Sequence, residues 1–256
     1  MNELFSTLQE ATGLGAEALV PVALVFLRVG AMMALLPAFG EHSVPARVRL
    51  VLTLAFTAVT APAVWDRLPT TPGLTALLVE TAVGLMLGAG LRLLVMALQM
   101  AGTMIAQATS LAQIFGGMGE PQPAAGHLLT AAGLALAVMA GLHVRVAELL
   151  ILSYSVFPPG NLPAAADVAR WGVAETGRAF ALAFTLAAPF TIAALLYNLA
   201  LGFINRAMPA LMVSFVGAPA LSAGGLVLLA LVAPILLSVW QEALNGFLTA
   251  PFTVPP

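Results

Sequence analysis

Residues 207–241 read AMPALMVSFVGAPALSAGGLVLLALVAPILLSVWQ, a run of 35 residues from Ala207 to Gln241 without one charged side chain. About 20 apolar residues cross the hydrocarbon core of a bilayer, so this stretch is more than long enough. Three further charge-free windows reach that length: Leu93 to Gly119, Pro121 to Val144 and Ala179 to Asn205. The composition agrees, with 8% charged and 61% hydrophobic residues and a mean hydropathy of +1.04. A soluble domain carries about a quarter charged residues. The chain is therefore read as an integral membrane protein.

Working outward from that run, six apolar segments emerge: Ala18 to Phe39, Leu50 to Val64, Leu74 to Ile114, Leu128 to Val156, Phe180 to Phe203 and Leu211 to Val239. The second is short for a span, and the third and sixth are long and interrupted by Gly or Pro. Pro189 and Pro234 lie mid-segment, where each removes a backbone hydrogen bond and is expected to kink its helix. Such breaks survive in hydrocarbon only where the freed groups face protein or water. The expected fold is all-α: a polytopic membrane protein of about six hydrophobic segments, several kinked or broken into helical hairpins, with residues 1–256 forming one domain. The polar intervals Glu41 to Arg49, Asp66 to Thr71 and Ala164 to Arg178 are expected to be loops.

Charge and cysteine content narrow the function classes. All nine basic residues are Arg, the acids number eleven, and the net charge of −2 forms no patch, which argues against a nucleic-acid partner. Cysteine is absent, removing disulfides and thiol chemistry. Glu3, Glu10 and Glu17 precede the first basic residue, Arg28, so the N-terminus lacks the basic region of a cleavable signal and the first segment is expected to stay. With six spans, Arg47, Arg49 and Arg206 fall on one side and Arg67, Arg170 and Arg178 on the other, a tie that leaves orientation open.

Five groups of residues stand out. Gln99, Thr103, Gln107, Ser110 and Gln113 form a polar stripe at helical spacing beside the line Met96, Met100 and Met104. Amides in lipid need partners, so this face suits either an ordinary helix interface or a watered path. Directly after it, Ile114-Phe115-Gly116-Gly117-Met118-Gly119-Glu120-Pro121-Gln122-Pro123 cannot continue a helix. Phe115 and Met118 on a glycine hinge fit a movable plug in a pore as well as they fit a tight turn. Arg28, Glu80, Arg92 and the Arg145 with Glu148 pair are ionisable groups in apolar surroundings. The small-xxx-small pair Gly84 with Gly88 allows close helix approach. His127, His143 and Glu148 fit a polar helix end more simply than a proton relay, and no nucleophile and base, metal cage or phosphate loop is apparent, so no cofactor and no enzyme activity are expected.

Several blocks together resemble a known family. Arg28 and Pro37 lead to Val44-Pro45-Ala46-Arg47-Val48-Arg49, then to Glu80-Thr81-Ala82-Val83-Gly84 with Gly88, and to Ala101-Gly102 with Gln107. The most specific block is Asn198-Leu199-Ala200-Leu201-Gly202-Phe203-Ile204-Asn205-Arg206-Ala207-Met208-Pro209, followed by Phe215, Gly217 and Pro219. In this order they are similar to the FliR family of flagellar biosynthetic proteins and its counterparts in type III secretion injectisomes. Ala210, where Gln is usual, and the pattern around Met212 and Ser214 depart from it.

The resemblance implies a subunit of a protein export gate in the bacterial inner membrane, within the flagellar basal body. FliP-like and FliQ-like subunits and other basal-body export components would be its partners, and unfolded proteins its substrates. It also implies that Ile114, Phe115, Gly116, Gly117 and Met118 plug the closed channel. Arg28, Pro45, Arg47, Glu80, Gly84, Gly88, Asn198, Arg206, Pro209, Gly217 and Pro219 are the residues expected to hold structure or assembly. Two other classes compete. A small secondary transporter or channel would need a substrate site at broken helices near the midplane. An intramembrane enzyme would depend on His143 or Glu148.

Overall fold

The structure is a computed structural model describing residues 16–40, 44–69, 73–109, 124–161, 163–208 and 213–252. Every regular element among them is helical: α1 (Ala16–Leu35), α2 (Ala46–Val64) with a 3-10 turn (Trp65–Arg67), α3 (Leu74–Thr109), α4 (Ala124–Met139), α5 (Leu142–Val156), α6 (Ala165–Ala207) and α7 (Val213–Thr249). Five of these helices are long and apolar enough to cross a membrane, and α4 with α5 makes a sixth crossing if the two are one broken span. The protein is thus an all-α polytopic membrane protein.

α2 shows why its surroundings must be lipid or protein rather than water. Thr53, Thr57, Thr60, Ala61 and Val64 are buried, whereas Leu50, Val51, Leu54 and Val59 are exposed. Its polar face turns inward and its apolar face outward, the reverse of a soluble helix. Two of the three inward hydroxyls are satisfied within the helix, Thr53 donating to the Arg49 carbonyl at 2.8 Å and Thr57 to that of Thr53 at 2.7 Å, while the buried Thr60 hydroxyl has no partner among the described residues.

Three boundaries differ from the sequence expectation. Leu128 to Val156 is two helices, because Gly141 adopts φ 84°, the left-handed conformation that glycine takes without a Cβ penalty. Hydropathy is continuous across that break and carries no trace of it. Ala164 to Arg178, expected as a loop, is the first third of α6. Asp167 pairs with Arg170 and Glu175 with Arg178 at i, i+3, so the charges that suggest a loop brace a helix instead. Finally, Ala46 to Arg49, the end of an interval expected as a loop, is the first turn of α2, whereas Pro189 and Pro234 lie inside α6 and α7. The chain leaves α1 through Pro37, with Ala38 at φ 67° and the Gly40 N–H donating to the Leu36 carbonyl at 2.6 Å.

The described residues form two compact units. The first comprises those within Met1–Arg92, Ala140–Val173 and Gly246–Pro256, and the second those within Leu93–Met139 and Ala174–Asn245. In the first, α1 packs on α2, and α2 on α5. α1 also lies against the first half of α3, where Gly84 and Gly88 admit backbone contact: a Cβ on Gly84 would overlap the Arg28 carbonyl oxygen, and one on Gly88 would stand 2.8 Å from that of Met32. Leu24, Val25 and Val29 of α1, Val83 and Leu87 of α3 and Leu149 of α5 are all buried.

In the second unit, Ala97 of α3 meets Ala179 and Ala183 of α6, small residues that let the helices approach, while Leu93, Met100, Met104 and Leu182 pack around them. Trp240 of α7 is buried and donates its indole N–H to the Leu94 carbonyl at 2.8 Å.

Candidate functional site

Arg28 and Glu80 are the groups that an apolar interior tolerates least when unpaired, and both are 0% exposed. α1 brings the guanidinium and α3 the carboxylate into a two-pronged ion pair, Nε to Oε2 at 2.7 Å and Nη2 to Oε1 at 2.9 Å. α5 completes the enclosure. Its Ser153 hydroxyl accepts from Nη1 at 3.0 Å, the Phe157 carbonyl just past its end accepts from Nη2 at 2.9 Å, and the Tyr154 hydroxyl donates to Glu80 Oε2 at 3.0 Å. The Tyr154 ring lies under the guanidinium, 3.6 Å from ring centre to Cζ. Ser153 is itself satisfied, donating to the Leu150 carbonyl at 2.6 Å.

This cluster fastens three helices at one point. Breaking such a pair by removing one partner costs about 3–5 kcal/mol, because the remaining charge stays buried without compensation. Its donors and acceptors face one another, so its chemistry is cohesion rather than transfer. Arg28 and Glu80 are legible as rare charges in apolar segments, but Ser153 and Tyr154 are not among the sequence candidates. A signal exists for Tyr154, since the chain has only two tyrosines. Both use their hydroxyls on internal partners, Tyr197 donating to the Gly217 carbonyl at 3.0 Å.

Beside the cluster, Phe157 meets Phe252 edge to face with centroids 4.7 Å apart. Both border a cavity of about 480 Å³ with Met86, Val168 and Trp171, and with Asp167 and Arg170. Trp171 is fixed by its indole N–H on the Pro251 carbonyl at 2.7 Å.

The other candidates divide. Of the polar stripe, Gln99 and Thr103 are half-buried and Gln107 is exposed. The Thr103 hydroxyl donates to the Met100 carbonyl of its own helix at 2.7 Å, and Met100 and Met104 pack toward α6. Ser110, Gln113, the plug candidates Ile114 to Met118, and Pro209 lie outside the described residues. Pro45 precedes α2, its carbonyl accepting from the Val48 and Arg49 N–H groups at 2.9 and 3.2 Å, and Arg47 is exposed. His127, His143 and Glu148 are exposed. Arg145 is half-buried, and no ion pair joins it to Glu148 among the described residues.

The end of α6 is the opposite of the Arg28 cluster. From Asn198 to Met208 every residue is exposed except Leu201, which is half-buried. Asn198, Gly202, Asn205 and Arg206 recur at i, i+4, i+7 and i+8, one face of the helix, and the space a Cβ would take on Gly202 is open. Gly217 lies against Leu201, and Pro219 is exposed on α7.

Comparison with known proteins gives a family and three relatives. The family model described as bacterial export proteins, family 1, matches residues 19–247. The flagellar biosynthetic protein FliR of Caulobacter vibrioides is 35% identical over 228 residues, covering 86% of this chain and 91% of the relative. That of Pectobacterium carotovorum is 30% identical over 220 residues, 82% of this chain and 83% of the relative. That of Escherichia coli K12 is 26% identical over 231 residues, 86% and 88% of the two chains. A match this long, through both compact units, means that the chain belongs to family 1 of the bacterial export proteins, the family that includes flagellar biosynthetic protein FliR.

Proposed function

We propose that the chain is a membrane subunit of the flagellar type III protein export gate, in the inner membrane at the basal body. It assembles with FliP-like and FliQ-like subunits and further basal-body export components into a pore for unfolded proteins. Residues 1–256 act as one functional domain, since the family match crosses both units. The chain contributes passage and closure rather than covalent chemistry.

The observation that carries the assembly reading is the end of α6. Asn198, Asn205 and Arg206 are exposed on a helix whose other exposed residues there include Leu199, Phe203 and Ile204. Lipid supplies no partner for an amide, so protein or water must. Helix length points the same way. α6 has 43 residues, roughly 65 Å at 1.5 Å per residue, about twice the 30 Å hydrocarbon core. A helix of that length needs protein or water around much of it.

Closure is assigned to Ile114, Phe115, Gly116, Gly117 and Met118, on their composition and their place after the Gln99 stripe. A hydrophobic constriction seals by filling the lumen and by dewetting. The test is a deletion of Gly116 to Glu120 in cells producing all gate subunits, with the chain affinity-tagged. Co-purification of the FliP-like and FliQ-like subunits is expected to persist while ion conductance rises. A chain that purifies alone ends the assembly reading, and an assembled variant that stays tight to ions ends the plug reading.

A further inference from the structure

The last turns of α6 stand exposed apart from two residues. From Leu195 to Met208 every side chain is exposed except those of Tyr197 and Leu201, which are half-buried. These 14 residues rise roughly 20 Å at 1.5 Å per residue. Both half-buried residues meet the same point on α7, the buried Gly217. The Tyr197 hydroxyl donates to the Gly217 carbonyl at 3.0 Å. A Cβ at position 217 would stand 2.8, 3.7 and 3.9 Å from Cδ1, Cδ2 and Cγ of Leu201, so the leucine takes the space that the glycine leaves.

The seat at Gly217 is tied to the polar face by helix geometry. Tyr197 and Leu201, at i and i+4, share the side of α6 that rests on α7. Asn198 and Gly202 each follow one of them directly, and successive helical residues point about 100° apart. The polar face therefore begins about 100° round the helix from the seat, and Asn205 and Arg206 continue it. A rotation of α6 that lifts Tyr197 or Leu201 from Gly217 turns the amides and the guanidinium by the same angle. The hydrogen bond adds direction to the apolar contact, because it weakens steeply as its angle closes.

We infer that Gly217, Tyr197 and Leu201 are positioning residues for subunit assembly, setting the angle at which the end of α6 presents Asn198, Asn205 and Arg206. None of the three belongs to the face itself. This inference rests on the assignment of that face to assembly.

The test is made in cells producing all gate subunits, with the large complex followed on native gels and the chain by immunoblot. It compares Gly217→Val, Tyr197→Phe, the Gly217→Val, Leu201→Ala pair and Asn198→Leu. Gly217→Val drives a side chain into Leu201 and is expected to lower the complex several-fold at normal chain abundance. Leu201→Ala removes all three atoms that crowd position 217. The pair nearly conserves the volume of the seat, so it is expected to restore most of the complex, a rescue that general destabilisation does not give. Tyr197→Phe keeps the ring and loses the hydroxyl, and a smaller fall in complex is expected, again at normal chain abundance.

If the Gly217→Val chain itself disappears from the membrane, Tyr197→Phe decides alone, and an undiminished complex overturns the inference. A parental level of complex in Gly217→Val, or a loss that Leu201→Ala does not relieve, also overturns it. If Asn198→Leu loses the complex while Gly217→Val and Tyr197→Phe keep it, the positioning role falls and the assembly face stands. If Asn198→Leu keeps the complex, the assembly face falls, and the positioning role with it.

Discussion

The polar cluster around Arg28 and the polar face at the end of α6 use the same kinds of side chain in similarly apolar surroundings, but they are completed differently. Around Arg28, a guanidinium, a carboxylate, a phenol, a hydroxyl and a backbone carbonyl close on one another at 2.7 to 3.0 Å. Along α6, Asn198, Asn205 and Arg206 are exposed, and Gly202 has nothing near it. An ionic group enclosed by its own chain commits that chain to one packing, and removing half of it strands a charge. A polar face left open in a membrane helix commits the chain to another molecule. The first arrangement serves folding, and the second, on the function proposed above, serves assembly.

Mutation separates the two. The largest effect is expected from Arg28→Ala, which strands the Glu80 carboxylate at a cost of about 3–5 kcal/mol, comparable with much of the 5–15 kcal/mol that typically holds a folded protein. The chain itself should disappear from membranes, as read by immunoblot after synthesis is stopped. Arg28→Met combined with Glu80→Leu should recover most of the abundance, since apolar replacement of a whole buried pair is often neutral. A stable Arg28→Ala chain would dissolve the contrast, because the cluster would then be as dispensable to folding as an exposed patch.

Next come Asn198→Leu and Arg206→Ala. Chain abundance should stay near the parent level while the large complex on native gels is lost or reduced. If abundance falls as it does for Arg28→Ala, the α6 face belongs to the fold and the distinction is wrong. The smallest effect is expected from Tyr154→Phe, which keeps the ring under Arg28 and removes one hydroxyl from Glu80. A single hydrogen bond to a charged group contributes about 1.5–3 kcal/mol, and the ion pair still satisfies the carboxylate, so the loss should fall at or below that range. Thermal unfolding in detergent measures it. A drop equal to that of Arg28→Ala would place the main bond in the phenol rather than in the ion pair.

The membrane class and the all-α architecture were legible because hydropathy reports them directly, as in the run from Ala207 to Gln241. Family membership was legible in blocks such as Asn198 to Pro209. What sequence could not supply was pairing. Arg28 and Glu80 are 52 residues apart and Arg28 and Ser153 are 125 apart, and no local period links them. The region from Ala164 to Arg178 was misread because charge is a sign of loops only when nothing pairs it, and here each charge has a mate three residues along. Its apolar anchor, the buried Trp171, was the available clue. The break at Gly141 escaped for the opposite reason: it depends on one dihedral angle, which leaves hydropathy unchanged.

The span between Arg28 and Glu80 has a consequence for biosynthesis. Ribosomes add roughly 5–20 residues per second, so the carboxylate is made about 3–10 s after the guanidinium it neutralises, and Tyr154 and Ser153 later still. During that interval α1 faces the lipid with an unmatched arginine, which costs about 2.5–3.5 kcal/mol at the centre of an inserting helix. The first helix is thus held poorly by the bilayer until α3 reaches it, and a nascent chain stalled between residues 28 and 80 should be an easily extracted intermediate, whereas one extended past Tyr154 should not.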